Sequence, residues 1–172
     1  DRGVYRGHWF IIAAGLWADD LLHAAGLDGF AITPRKGEYF VLDRVAAEQV
    51  RTVLFPCPTP ISKGILVTRT IHGNVMLGPN AQDVDDKRDL RTTAEGLDEV
   101  MAGALKLVPG LQARHVIRTF AGLRATGSTG DFRIEIPRKV HGLVTLAGIE
   151  SPGLTASPAI ARYVVELLRE AG

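Results

Sequence analysis

Leu143-Val-Thr-Leu-Ala-Gly-Ile-Glu-Ser-Pro-Gly-Leu-Thr-Ala-Ser-Pro-Ala-Ile-Ala161 is the stretch on which the fold turns. Its first five residues are apolar or β-branched without a break, the pattern of a buried strand. A loop of small residues, 148–155, follows. Ser157-Pro158 then predicts a helix start, with serine at the cap and proline at the first helical position. Ile160, Val164, Val165, Leu167 and Leu168 give that helix an apolar side. A buried strand passing through a glycine loop into a helix is the building unit of an α/β fold.

The other end of the chain carries a second such unit. Trp9 to Ala14 reads as a buried strand, Gly15 follows, and Trp17 to Ala25 reads as a short helix closed by Gly26. Asp19 and Asp20 occupy its first turn, where a helix favours negative charge. Between the two ends the character changes. Residues 30–33, 37–43, 52–56, 64–70 and 74–78 are short strand candidates separated by turn residues, and Ile71-His-Gly-Asn74 joins two of them as a hairpin. Only a short helix near 44–50 interrupts them, so an antiparallel or mixed sheet is expected. Thr92-Thr-Ala-Glu95 has capping-box spacing. Leu97, Val100, Met101, Ala104, Leu105 and Val108 then recur at helical spacing up to Pro109-Gly110. Residues 115–120 and 132–136 return to strand. The predicted fold is α/β (α+β): a mixed or antiparallel-sheet domain inserted in part of an α/β domain.

The 172 residues are 46% hydrophobic, enough for one substantial core or two small ones. A net charge of +1 and scattered cations remove the electrostatic case for nucleic acid. The longest apolar run, Trp9 to Ala18, is about half a membrane span. Cys57 is the single cysteine, which excludes an internal disulfide and fits a reducing, cytoplasmic compartment. The five histidines show no metal-ligand spacing, so no metal is expected. No P-loop, nucleophile elbow or G-x-G-x-x-G unit is present. The sequence opens at Asp1 without Met or signal-peptide pattern, and strand begins at Trp9; this reads as a boundary inside a longer chain.

Four places could carry chemistry. The loop with Gly148, Ile149, Glu150, Gly153, Leu154 and Thr155 presents N–H groups at a helix start. It suits an anion or the edge of a flavin ring, whose reduced form is negative near N1, and it equally serves as a plain connection. Gly15, Leu16 and Trp17 follow the first strand in a similar way, with Trp17 either covering a flat ring or filling the core. Arg124, placed after a strand and before the glycine-rich run 125–131, could grip a carboxylate or phosphate at two points, or pair with Asp131. Arg35 and Lys36 could face an anionic substrate or form a solvated turn.

AAGLWAD (13–19), TPRKGEYFVLD (33–43), FPCPT (55–59), KGILVTRTIHGNVMLGPNA (63–81), TTAEGLDEVMAGALKLVP (92–109), TFAGLRATGSTGDF (119–132) and GIESPGLTASPAIA (148–161) occur in this order. Together they resemble the second half of FAD-dependent enzymes of the D-amino-acid-oxidase superfamily, in the branch of glycerol-3-phosphate dehydrogenase-like proteins. The resemblance covers the chain from about Trp9 to Gly172. It implies an FAD-binding domain from 1–26 and 114–172, with a substrate-binding domain at 27–113 inserted in it. It implies that 148–155 passes the flavin ring and that Arg124 lies near the substrate; the catalytic base stays unassigned. It further implies a missing N-terminal half, about 200 residues long, the size of a dinucleotide-binding unit. FAD would bind in the whole protein and weakly or not at all in this fragment. The expected reaction is oxidation of a small anionic 2-hydroxy compound, foremost glycerol 3-phosphate to dihydroxyacetone phosphate, with electrons passing to a quinone or another acceptor. The alternatives are an L-2-hydroxyglutarate oxidase and a non-catalytic recognition module. Expected locations are the cytoplasm and the inner face of the membrane, and strand edges left bare predict a homodimer.

Overall fold

A computed structural model describes residues 3–57 and 64–172. Pro58 and Thr59 of FPCPT, and Lys63, lie outside the described residues. In chain order the elements are β1 (Phe10–Ile12), α1 (Ala18–Ala24), β2 (Ile32–Leu42), β3 (Leu66–Arg69), β4 (Val75–Gly78), β5 (Gln82–Asp83), α2 (Ala94–Leu107), β6 (Val116–Gly127), β7 (Arg133–Glu135), β8 (Leu143–Ala147) and α3 (Gly153–Ala171). Short 3₁₀ turns occupy Gly15–Trp17, Arg44–Gln49 and Ala113–His115. The chain divides into two compact units, 1–34 with 124–172, and 35–123. The division predicted at 26/27 and 113/114 lies earlier on both sides. β2 and β6 each run from one unit into the other.

The first unit holds a three-stranded sheet of order β1-β8-β7. β1 pairs with β8 in parallel, Ile12 against Thr145, and β7 pairs with β8 antiparallel. Ile12, Leu22, Phe30, Leu143 and Ala147 are among its core residues. β8 is buried as predicted, whereas β1 is not: Phe10 is 63% and Ile11 47% exposed, because β1 is the sheet's edge and only Ile12 turns into the core. α3 also differs from expectation. It begins at Gly153, so Pro158 lies inside it. The ring nitrogen of Pro158 has no hydrogen for the Leu154 carbonyl, and the Ser157 hydroxyl donates there instead, at 2.8 Å. Ser157 therefore mends the helix rather than capping it.

The second unit is built around β2, which pairs antiparallel with β4 and β5 and also pairs with β6. β3 and β4 form the predicted hairpin: Gly73 takes φ +85° in its turn, and Thr70 N–H donates to the Asn74 carbonyl. α2 packs on β3 and β4, joining Val100 and Ala104 to Leu42, Val67, Val75 and Leu77 in the core. Two strands predicted around a turn at Pro34–Lys36 are one continuous strand, held across that turn by the pairing of Arg35 and Lys36 with Asp83 and Gln82. Residues 52–56 contribute only a bridge from Leu54 to Val67. The short helix after β2 is 3₁₀, with the Asp43 carboxylate accepting from Val45 N–H.

The start of α2 departs from a local capping box. Thr93, not Thr92, is the cap; its hydroxyl oxygen accepts from Gly96 N–H at 3.1 Å. The carboxylate comes from β2: Glu38, fully buried, accepts from the Thr93 N–H at 3.2 Å and the Thr93 hydroxyl at 3.0 Å. Lys36, 2% exposed, lies 3.6 Å from Glu38 and 3.4 Å from Asp89. A Cβ on Gly96 would collide with the Glu38 carboxylate, so glycine there admits the carboxylate to the helix start.

Candidate functional site

Parallel pairing of β1 with β8 brings two strand-to-helix junctions to the same end of the sheet. With Ile12 in register with Thr145, the chain leaves β1 into Gly15-Leu16-Trp17 beside the place where it leaves β8 into Gly148-Ile149-Glu150. The carboxyl ends of parallel strands are where α/β sheets hold ligands. Gly15 takes φ +55° and Gly148 φ +66°, each turning the chain sharply out of its strand. Trp17 is 44% exposed and Leu16 is half-buried against the core.

The end of β6 completes this corner. A Cβ on Gly127 would stand 3.1 Å from Gly148 Cα, so the two glycines let β6 and the β8 junction approach backbone to backbone. The Thr126 hydroxyl donates to the Glu150 carboxylate at 2.8 Å. A cleft of about 250 Å³ opens here, lined by Gly127, Gly130, Asp131, Phe132, Gly148, Glu150, Ser151 and Pro152. Gly153, Leu154 and Thr155, predicted as loop, form the first turn of α3. Pro152 stands at its cap position and no side chain caps it. Gly153 N–H donates back to the Glu150 carbonyl, while Leu154 and Thr155 N–H have no hydrogen-bond partner among the described residues. The corner is thus a set of N–H donors at the positive end of a 19-residue helix.

The three predicted cations separate. Arg124 lies within β6 rather than after it, because the strand runs on to Gly127; it is half-buried and belongs to the first unit. Arg35 and Lys36 belong to the second unit and are engaged there. Arg35 meets Asp83 at two points, 2.7 and 3.2 Å, and Lys36 joins the buried network with Glu38 and Asp89. That geometry gives Lys36 an architectural place rather than the open, substrate-facing one expected. Thr126 and Gly127 were not anticipated. The signal for them is the period-two continuation Arg124, Thr126 of β6, masked by the glycines of the run 125–131.

A family model described as DAO, FAD dependent oxidoreductase, matches residues 1–167. The chain belongs to this family. It is 40% identical over 169 residues to glycerol 3-phosphate dehydrogenase of Caloramator mitchellensis, covering 98% of this chain and 35% of that protein. The dithionite-reduced L-α-glycerophosphate oxidase of Mycoplasma pneumoniae, solved with FAD bound, superposes with a TM-score of 0.83 at 36% identity, over 92% of this chain and 42% of that one. Mitochondrial L-2-hydroxyglutarate dehydrogenase of Arabidopsis thaliana is more distant, 30% identical over 145 residues, 75% of this chain and 30% of that protein. The chain therefore spans well under half the length of these relatives, and the mixed α/β architecture matches FAD-dependent oxidoreductase structures. Among the described residues, no group of three or more His, Cys, Asp or Glu could hold a metal, and no helix is long and apolar enough to cross a membrane.

Proposed function

We propose that this chain is the second half of an FAD-dependent oxidoreductase that oxidises a small anionic 2-hydroxy compound, with glycerol 3-phosphate as substrate and dihydroxyacetone phosphate as product. The observation that carries the reading is the likeness to glycerol 3-phosphate dehydrogenase along 98% of this chain. L-2-hydroxyglutarate is the competing substrate, supported by a weaker likeness.

The donor set at the corner of β1, β6 and β8 fits a flavin. The N–H groups of Leu154 and Thr155, without a partner among the described residues, offer hydrogen bonds to the accepting edge of the ring that is negative near N1 when reduced, and glycines at 15 and 148 allow close backbone approach. Gly15, Leu16, Trp17, Gly148, Ile149, Glu150, Gly153, Leu154 and Thr155 would hold it. When bound, flavin supplies the ring that accepts the hydride. The chain's own part is to bind and orient. Arg124 grips the anionic group or the carbinol oxygen of the substrate through the planar guanidinium, and the start of α3 favours negative charge beside it. Arg35, turned to Asp83, would contribute to the approach of an anion rather than to its grip. A quinone or another acceptor would take the electrons, at the inner face of the membrane or in the cytoplasm.

Steady-state kinetics of the whole protein with glycerol 3-phosphate and with L-2-hydroxyglutarate test this. Glycerol 3-phosphate should be the preferred substrate. Arg124→Lys should lower kcat/KM by the equivalent of roughly 2–4 kcal/mol with flavin content unchanged, since an ammonium cannot reproduce a two-point contact. Turnover of neither substrate, or wild-type turnover in Arg124→Lys, would remove the substrate or the residue from the reading.

A further inference from the structure

We infer that Thr126 is a positioning residue of the flavin corner: its hydroxyl holds the Glu150 carboxylate on β6 and so keeps the start of α3 open. This rests on the flavin reading above. A carboxylate a few residues ahead of a helix is ordinarily drawn to that helix's unpartnered N–H groups and its positive end. Glu150 stands three positions before Gly153, and its backbone carbonyl already accepts from Gly153 N–H at 2.5 Å. Its side chain nevertheless does not cap α3; it accepts the Thr126 hydroxyl at 2.8 Å. The donors left over, Leu154 and Thr155 N–H, are then available to an external anion or ring. Thr126 also sits two residues from Arg124 on the same strand, so the two side chains share one face of β6. One strand therefore carries the proposed substrate grip and the anchor of the flavin loop. Beside it, Gly127 and Gly148 bring β6 and the loop backbone to backbone, where a Cβ on Gly127 would stand 3.1 Å from Gly148 Cα.

The test uses the whole protein loaded with FAD. Thr126→Val keeps the shape and removes the donor. FAD release should become about tenfold easier, the effect of losing one hydrogen bond to a charged group. The visible absorption of bound flavin should shift, and amide exchange at 148–155 should quicken. Thr126→Ser, which keeps the hydroxyl, should restore all three. In a Glu150→Ala background Thr126→Val should add nothing further, because the carboxylate it holds is gone. Unchanged retention and exchange in Thr126→Val would overturn the inference. So would Thr126→Ser behaving like Thr126→Val, since retaining the hydroxyl would then not suffice, or additive effects in the double variant, since the hydroxyl would then act on something other than Glu150. If the wild-type protein takes up no FAD, the flavin reading falls. Exchange at 148–155 in Thr126→Val against Thr126→Ser then decides the Thr126 assignment alone.

Discussion

The two long helices start in opposite ways. The first turn of α2 is closed from two directions: the Thr93 hydroxyl accepts from Gly96 N–H, and the buried Glu38 carboxylate accepts from Thr93 itself. The first turn of α3 has no side-chain cap, although Glu150, Ser151 and Thr155 are all near it in sequence. A closed helix start has its donors satisfied within the protein and serves architecture. An open one, at the carboxyl ends of two parallel strands, is left for something else to satisfy. The difference separates a unit held by an internal polar network from a unit whose polar groups converge on a corner.

The largest expected effect breaks the closed start. Glu38→Ala leaves Lys36 buried with one partner fewer and strips the Thr93 N–H of its acceptor. Loss of one member of a buried charged network costs about 3–5 kcal/mol. Urea denaturation should show it as a lower midpoint with the slope unchanged. An effect under about 1 kcal/mol would mean that water replaces the carboxylate, and the contrast between the two starts would collapse.

Gly96→Ala sharpens the same contrast through its sign. Alanine in place of glycine normally stabilises a helix by about 1 kcal/mol. Here the added methyl meets the Glu38 carboxylate, and the substitution should instead destabilise by about 1–3 kcal/mol, as overpacking does. Thermal unfolding of Gly96→Ala beside Gly103→Ala is not a clean pair, because a Cβ at Gly103 meets Ile65. Gly96→Ala in a Glu38→Gln background is the better control, and a methyl that is harmless there would implicate charge rather than volume.

What could be read from the sequence follows from how local each determinant is. The β8–loop–α3 unit, the β3–β4 hairpin and the apolar face of α2 are written in neighbouring residues, by an unbroken apolar run, by a glycine at a turn and by helical spacing. The capping of α2 was misread by one position because its carboxylate comes from Glu38, 55 residues before Thr93. Partners remote in sequence also hide the role of Lys36: a cation between proline and glycine reads as a surface turn, and pairing with β5 makes it interior. The exposure of Phe10 and Ile11 could not be read either, since a buried strand and an edge strand can share one apolar pattern. At the corner, Gly15 and Gly148 were legible as glycines after strands. Thr126 was not, because a hydroxyl announces nothing until its acceptor is placed beside it.

The smallest effect concerns the rim of the closed network and appears only in acid. The Arg91 side chain, hydrogen-bonded to Asp89 at 2.8 Å, is the main cause holding the Asp89 carboxyl well below its ordinary value of 3.8; the Arg91 N–H and Lys36 reinforce it against partial burial. A carboxyl lowered on folding stabilises the folded state fully above its unfolded pKa and loses that contribution as pH falls through the folded one. Asp89 therefore adds a constant term at neutral pH and a decline that begins near pH 4. Asp89→Asn removes both. The gap between wild type and Asp89→Asn, measured by urea denaturation from pH 7 to pH 2, should be constant down to about pH 4 and narrow below it. Arg91 is exposed and water screens the pair, so this gap should be smaller than either effect at Glu38 or Gly96. A gap that stays constant into strong acid would show that Asp89 acts through its shape and not its charge.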